Sequence, residues 1–276
     1  MRIAILAAPY DTGRRDHRMG LGPGRLLERG LDRMLRERGH DVTTDWLDVP
    51  AAPAGDVRHA FDLSATLARR VSAAAATGAF PLVLAGNCGV TVGALAGVGA
   101  ADTAVVWFDA HGDLNTPDTS PSGYLDGMSV AVLTGRCWRP LTATIPGFTA
   151  VPDERVVLVG VRDLDPPEAE LLRASAVRRV APDLAGLEDA LPSSARRAYL
   201  HIDLDVLDPS EGRANQFAVT GGLAVPALQS AVRRIAARAA IAGASFTAYD
   251  PAVDSDGRVA GAALAVAGTL AEVLAA

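Results

Sequence analysis

Short, nearly continuous apolar runs alternate along this chain with longer segments in which apolar residues recur every three to four positions. The runs predict strands at residues 3–8, 42–47, 82–85, 103–108, 155–161, 177–180, 198–204 and 244–248. The helical spacing predicts helices at residues 23–38, 61–76, 225–240 and 262–274. Continuous apolar strands are typical of parallel strands buried on both faces. The alternation therefore predicts one α/β domain over residues 1–276, with helices covering a parallel sheet of about eight strands.

Composition narrows the function classes. The chain has 276 residues, of which 49% are hydrophobic, and a formal net charge of −6, which disfavours nucleic-acid binding. All 26 basic residues are arginine, which excludes a lysine Schiff base, a Walker-A loop and a protein-kinase site. The two cysteines do not suggest a disulfide framework. Without a signal-peptide pattern or a run of about 18 apolar residues, we expect a cytoplasmic protein that does not enter a membrane.

Polar residues cluster where predicted strands end. Residues 109–115 read DAHGDLN directly after one apolar run, and residues 201–205 read HIDLD at the end of another. Because side chains two apart share a side of an extended segment, Asp109, His111 and Asp113 are expected to converge, as are Asp203 and Asp205. His17, His40 and His59 have no such company and are predicted to be surface or loop histidines.

Clustered carboxylates repel one another unless a cation neutralises them. One histidine with several carboxylates suits a hard or borderline divalent ion such as Mn²⁺, and two clusters suggest a two-metal site with an activated water. The alternative for each Asp-x-Asp pair is a helix cap or a solvated turn. Two such clusters in one chain, each after a strand, favour the metal site.

These motifs resemble the arginase/agmatinase (ureohydrolase) family. The DAHGDLNTP stretch at 109–117 is similar to the family signature, and DLDVLDP at 203–209 is similar to its second metal motif. Residues 7–10, 20–23 and 160–165 also match in order and spacing. The resemblance implies a three-layer α/β/α fold with an eight-stranded parallel sheet. It also implies two Mn²⁺ ions that hydrolyse the C–N bond of a guanidino or formimino group through a metal-bound hydroxide.

Residue roles follow from the same resemblance. Asp109 and Asp203 match the carboxylates that bridge both metals, Asp113 matches a ligand of the first metal, and His111 and Asp205 match ligands of the second. The positions that hold a substrate α-carboxylate or face its α-amino group are matched by Asn115, Ser120, Ser122, Asp165 and Glu168.

Three departures from the family pattern concern the chemistry directly. Cys88 stands where the first metal's histidine belongs, which is also a feature of the Nω-hydroxy-L-arginine hydrolase of cycloserine biosynthesis. Asp126 stands at the place of a proton-shuttling histidine. Ala248 replaces the glutamate that grips a guanidinium, and Asp250, two residues on, is a candidate to take over that charge.

Each departure has a simpler interpretation. Cys88 is then a buried structural thiol, Asp126 caps the short helix that begins at Gly127, and Asp250 is a turn residue before Pro251. The functional hypothesis assigns catalytic roles to Asp113, Asp126 and Asp250.

The sequence thus predicts a metal-dependent hydrolase of a linear amidine or guanidine. The expected substrate is a small amino-acid-like molecule: an arginine-like, hydroxyarginine or formimino compound, with ordinary arginine disfavoured. The alternative is an altered paralogue that serves as a binding protein or acts on a different amide. Self-association into a homo-oligomer is compatible with either.

Overall fold

An eight-stranded sheet forms the centre of the protein. The computed structural model describes residues 1–50 and 55–275. The strands of the sheet are β1 (Arg2–Ala8), β4 (Asp41–Trp46), β5 (Phe80–Ala85), β6 (Thr103–Phe108), β7 (Val156–Val159), β8 (Arg178–Val180), β9 (Arg197–Asp203) and β10 (Ala240–Thr247). The strand order is β4-β1-β5-β10-β9-β6-β7-β8, and every neighbouring pair is parallel. A small antiparallel pair, β2 (Tyr10–Asp11) and β3 (Arg14–Arg15), follows β1.

All eight predicted strand segments are strands of this sheet, so the prediction of a parallel sheet is confirmed. Its two faces bury separate apolar clusters. Val106 and Phe108 of β6 face one cluster, whereas Val105 and Trp107 face the other. This alternation places a helical layer on each face and gives the three-layer α/β/α architecture that the resemblance implied.

The helices are α1 (Gly22–Glu28), α2 (Leu31–Glu37), α3 (Asp56–Ala76), α4 (Val90–Val98), α5 (Ser129–Leu133), α6 (Arg139–Thr142), α7 (Pro166–Ala174), α8 (Leu187–Ala190), α9 (Val225–Ala236) and α10 (Arg258–Ala275). The prediction of one helix over 23–38 is wrong because Gly30 adopts φ +89°, a left-handed conformation that separates α1 from α2. The predicted helix over 225–240 ends at Ala236, since Ala240 already begins β10. Helices α4, α6, α7 and α8 were not predicted.

His59, one of the three histidines predicted to lie at the surface or in loops, is instead part of the protein core. It lies in α3, is 2% exposed, and packs against Tyr10 with ring centroids 5.1 Å apart and an interplanar angle of 49°. The prediction of a surface or loop residue is therefore wrong for His59. His40, by contrast, lies in the turn before β4, as predicted.

Helix α10 is long and apolar enough, within the part of the chain that the structure describes, to cross a membrane by length and composition. However, 56% of that segment is buried inside the protein. Core helices meet the same criterion when they pack against a sheet, as α10 does through Val259, Val266 and Leu270.

Close packing of α3 on α4 depends on Gly93. A Cβ atom at this position would lie 2.2 Å from the backbone oxygen of Ser64. We expect Gly93→Ala to lower the free energy of unfolding by about 1–3 kcal/mol, the usual cost of overpacking. Gly261→Ala in α10 is the matched control, because nothing among the described residues lies within 4 Å of its added Cβ. The control is expected to gain up to about 1 kcal/mol from helix propensity. Urea denaturation measures both, and equal changes would contradict this account of the α3–α4 contact.

Candidate metal and substrate site

The polar clusters meet at the carboxyl ends of four adjacent strands. In the order β5-β10-β9-β6, these strands are followed or ended by Cys88, Ala248, Asp203 and Asp109. In parallel sheets, ligands bind beyond this edge. The structure therefore brings together residues that lie up to 160 positions apart, from Cys88 to Ala248.

The first group comprises Asp109, His111 and Asp205, and each offers a ligand atom within 4.8 Å of the others. His111 Nδ1 lies 3.3 Å from Asp109 Oδ1 and 3.4 Å from Asp205 Oδ2. The Asp109 carboxylate is further held by Trp107, whose Nε1 donates to Oδ2 at 3.0 Å, and by the His111 backbone N–H, which donates to Oδ1 at 2.7 Å. These donors orient the carboxylate before any ion binds.

Cys88 belongs to a second group. Its Sγ donates to Asp203 Oδ2 at 3.1 Å and lies 3.3 Å from Thr247 Oγ1. Ligand atoms of Cys88, Asp109 and His201 also lie within 4.8 Å of one another. Cys88 is thus buried, as the structural interpretation held, and at the same time part of the polar cluster.

Asp203 and Asp205 converge by a different route from the one predicted. The strand β9 ends at Asp203, and residues Leu204–Val206 form a 3₁₀ turn whose Asp205 N–H donates to Asp203 Oδ1 at 2.7 Å. Asp113 also departs from extended geometry, with φ +51°. Its Oδ2 is buried and has no hydrogen-bond partner among the residues that the structure describes. A buried carboxylate oxygen without a donor is available as a ligand atom for a cation.

The electrostatics point the same way. Burial raises the pKa of the Asp109 and Asp203 carboxyls, and the charge of Asp205 raises both further. Burial, followed by the charges of Asp109 and Asp126, raises the pKa of Asp113. Without a cation the cluster is therefore destabilised in its charged form.

The imidazole and the thiol of the cluster respond to the same field. Burial opposes the charged form of His111, but its hydrogen bond to Asp109 and the charges of Asp205 and Asp109 outweigh burial and raise the pKa to about 9. Burial and the charge of Asp203 raise the pKa of the Cys88 thiol. Burial lowers the pKa of His201 well below its ordinary value.

The donor set fits divalent ions. One group offers carboxylates and an imidazole, and the other offers a thiol, an imidazole and carboxylates. These are ligand types that first-row divalent metals take in proteins. Together with the unpartnered Asp113 Oδ2, they make this cluster a candidate metal centre.

A cavity of about 280 Å³ opens over the cluster. The residues predicted to bind substrate line it, namely Asn115, Ser120, Ser122, Asp165 and Glu168. Both carboxylate oxygens of Glu168 already have partners within the protein, because they accept from the N–H groups of Leu114 and Asp165 at 2.8 and 2.9 Å. Asn115 Nδ2 donates to Asp165 Oδ2 at 2.8 Å, which fixes both side chains at the cavity wall.

Asp126 also lines this cavity, and its carboxylate does not cap its own helix. Its Oδ1 accepts from the Gly89 N–H and its Oδ2 from Asn87 Nδ2, both at 2.9 Å. Burial raises the pKa of Asp126 to about 7, and the charges of Asp11 and Asp109 add to the effect of burial. The capping interpretation is therefore wrong.

Asp250 lies apart from these side chains. Its Oδ1 accepts from the Ala252 N–H at 3.0 Å, as in a turn. Ala248, which lines the cavity, has φ +58°, so the chain is not extended there and the alternation that predicted Asp250 beside Ala248 is broken. The structure supports the turn interpretation for Asp250.

Two polar residues near the cluster were given no role from the sequence. Asn215 is buried, and its Nδ2 donates to Asp205 Oδ2 at 3.1 Å and to the Ala248 carbonyl at 2.9 Å. Nothing local in the sequence marks this residue. His201 could have been predicted to belong to the cluster, because it lies two residues before Asp203 on β9 and so shares a side of the strand with it.

Comparisons with known proteins agree with this geometry. A profile described as the arginase family matches residues 1–272. The arginase of Bacillus caldovelox is 32% identical over 292 residues, covering 97% of each chain. The crystal structure of arginase from Bacillus cereus superposes with a TM-score of 0.89 at 30% identity, over 98% of both chains. The formimidoylglutamase structure from Bacillus subtilis shares the fold, with a TM-score of 0.75 at 19% identity, covering 99% of this chain and 86% of that one.

Proposed function

This chain belongs to the arginase family, and on that premise we propose that it hydrolyses a C–N bond in the guanidine or hydroxyguanidine group of an amino acid. Arginase-family enzymes are hydrolases of carbon–nitrogen bonds other than peptide bonds. The observation that carries the proposal is the single cluster of Asp109, His111, Asp113, Asp203 and Asp205 under one cavity. A fold alone does not require so many buried charges.

The cofactor we propose is a pair of Mn²⁺ ions, held by Asp109, His111, Asp203 and Asp205 at one position and by Asp109, Asp113, Asp203 and Cys88 at the other. Bound there, such ions would supply a water nucleophile of lowered pKa and polarise the group that it attacks. In the net reaction, one water molecule would be added across the bond between the central carbon and the side-chain nitrogen, which would leave the nitrogen as an amine and the central carbon as a urea or hydroxyurea.

The remaining residues bind and orient the substrate. Asn115, Ser120, Ser122 and Asp165 stand at the cavity wall, where they can receive the carboxylate and amino groups of an amino acid. Ser120 Oγ accepts from the Gly123 N–H and Ser122 Oγ from the Tyr124 N–H, so both hydroxyls are held in place by their own loop. Glu168 supports this wall through its backbone contacts and is a positioning residue.

Asp126 is the candidate proton carrier. Its pKa of about 7 allows its carboxyl group to hold a proton near neutral pH. When its bond to the central carbon breaks, the side-chain nitrogen must receive a proton to leave as an amine. Asp126 lines the same cavity and can supply that proton.

The substrate group follows from Ala248. A guanidinium is a planar cation that favours a carboxylate opposite it. Ala248 is 3% exposed at the cavity and offers only a methyl group, whereas the Asp250 carboxylate is engaged by its own turn. A hydroxyguanidine is less basic and does not need that carboxylate. We therefore propose hydroxyarginine rather than arginine as the preferred substrate.

Substitution of Ala248 tests this preference. Ala248→Glu should raise kcat/KM for arginine relative to hydroxyarginine on the order of 10- to 100-fold, because a hydrogen bond to a charged group contributes about 1.5–3 kcal/mol. Ala248→Gln is the neutral control of equal size and should shift the ratio little. Asp250→Asn should leave both values within about twofold, since a turn residue away from the chemistry has a small effect. An unchanged ratio in Ala248→Glu would contradict the proposed role of this position.

The activity itself is tested with a substrate panel. Protein loaded with Mn²⁺ is incubated with arginine, hydroxyarginine, agmatine and formiminoglutamate, and the released products are quantified. We expect ornithine and hydroxyurea from hydroxyarginine to form fastest. Binding of one of these compounds with no turnover of any would favour the alternative of a binding protein. A cytoplasmic location and a homo-oligomeric state stay predictions.

A further inference from the structure

His201 is a buried imidazole that the proposed mechanism does not use. It lies on β9, two residues before Asp203, and is 0% exposed. In the sheet register it pairs with Trp107 of β6 on one side and Ser245 of β10 on the other. An imidazole in the middle of a parallel sheet needs polar partners, since an unpartnered buried polar group is costly.

Those partners fix the orientation of the ring. Nδ1 lies 2.8 Å from Thr91 Oγ1 and 3.1 Å from Ser245 Oγ. The Trp107 indole stacks on the ring with centroids 3.5 Å apart and an interplanar angle of 21°. Because Nδ1 and one face are occupied, Nε2 is the nitrogen left for another contact.

That nitrogen faces the cysteine group. Nε2 lies 3.4 Å from Thr247 Oγ1, and Thr247 Oγ1 lies 3.3 Å from Cys88 Sγ. Ligand atoms of Cys88, Asp109 and His201 lie within 4.8 Å of one another, as atoms around one ion do. Metal-binding histidines usually hold their other ring nitrogen in a hydrogen bond, and the Thr91 and Ser245 hydroxyls take that place at His201 Nδ1.

We propose that His201 Nε2 is a ligand of the metal position that contains Cys88 and Asp109. This inference rests on the proposed function in one respect, that the cluster binds divalent ions. His201 thereby supplies the imidazole that the cysteine does not. Because this donor set includes sulfur and an imidazole, it should also accept Co²⁺, which can stand in for the proposed Mn²⁺ as a spectroscopic probe of this position. The group of Asp109, His111 and Asp205 offers no sulfur, so cobalt bound there gives no sulfur-to-cobalt absorption.

Cobalt titration tests the ligand directly. Full-length protein stripped of metal is titrated with Co²⁺, and the sulfur-to-cobalt charge-transfer absorption reports ions bound by Cys88. We expect His201→Phe, which keeps an aromatic ring beside Trp107, to lower the Co²⁺ affinity reported by this signal at least tenfold. Loss of a residue that only hydrogen-bonds to a metal ligand already costs about 10- to 100-fold. His59→Phe removes another buried histidine and is expected to leave the titration unchanged. An unchanged titration in His201→Phe would overturn the proposal.

A measurement on the wild-type protein keeps the proposal testable if the variant fails to fold. Anomalous diffraction from crystals loaded with Co²⁺ should place an ion at about 2.0–2.1 Å from His201 Nε2 and about 2.3 Å from Cys88 Sγ. An ion bound by Cys88 but more than 3 Å from Nε2 would refute the assignment. Ligation by His201 without turnover of any panel substrate would refute the proposed function and leave this inference standing. Turnover of a panel substrate without ligation by His201 would refute this inference and leave the proposed function standing.

Discussion

Replacing Asp203 with asparagine is expected to eliminate metal loading and hydrolysis while it stabilises the metal-free protein. Asp203 Oδ2 accepts from Cys88 and its Oδ1 accepts from the Asp205 N–H, so it lies between both groups of candidate ligands. Partners one step removed from a metal already contribute about 10- to 100-fold to its affinity, and a direct ligand to both ions should exceed that range. Asparagine keeps the size of the side chain but removes one of the buried charges that repel each other.

The two effects have opposite signs, and together they separate a metal ligand from a structural residue. Isothermal titration with Mn²⁺ gives the affinity, and thermal unfolding with a chelator gives the stability of the metal-free form. Asp189→Asn, an exposed substitution in α8, is the control and should change stability by no more than about 0.5 kcal/mol. Loss of stability in the metal-free Asp203→Asn protein, with Mn²⁺ binding intact, would show a structural carboxylate instead.

The stability of the metal-free protein is expected to fall as pH rises, and bound Mn²⁺ is expected to reverse this. Burial, with the mutual charges, raises the pKa of Asp109, Asp113 and Asp203 above their unfolded values. A raised native pKa means that the folded chain holds more protons than the unfolded chain, so stability is lost as pH rises through the native value. His111, with a pKa raised to about 9, acts in the same direction between its unfolded value and pH 9.

The measurement compares unfolding midpoints at pH 5.5 and pH 8, with a chelator and with saturating Mn²⁺. This window avoids Glu188 and Asp208, whose pKa values are lowered to about 2 and which titrate in stronger acid. His201, whose pKa burial lowers, opposes the trend because its unfolded form loses a proton within the window, but it is one group against Asp109, Asp113, Asp203 and His111. At a thousand times its Kd, an ion adds about 4 kcal/mol, and the gain grows with pH because binding displaces protons. A metal-dependent shift that is equal at both pH values would contradict a buried carboxylate cluster. The shift should also nearly vanish in Asp203→Asn.

Much of the fold could be predicted because it depends on local pattern. Strands such as β6 and β9 are apolar throughout because both faces are covered, and that property can be recognised without knowing what covers them. The break at Gly30 was missed for the opposite reason. The apolar spacing continues across it, and only the left-handed backbone shows that the helix ends.

The site shows the same division. Asp109, His111, Asp203 and Asp205 could be chosen from the sequence because each ends a strand or follows one within a few residues. Asn215 could not, since its contact with Asp205 depends on how the loop before α9 folds back over the strand ends. Alternation along an extended chain predicted the Asp250 carboxylate on the same side as Ala248. The positive φ of Ala248 breaks that alternation, and the carboxylate instead accepts from the Ala252 N–H.

The sequence by itself determined the eight strands in chain order, the chemical types at the strand ends and the family resemblance, because hydrophobic period and short motifs act over a few neighbouring residues. Only the tertiary structure decided which of those side chains lie together at the cavity and its metal-binding cluster. In the folded protein, Glu168 accepts from the Leu114 N–H in the cavity wall, and Asp126 accepts from the Gly89 N–H. His201 lies beside Cys88. These outcomes depend on side chains from strands distant in sequence, whose approach is set by sheet order and by backbone angles that local pattern does not encode.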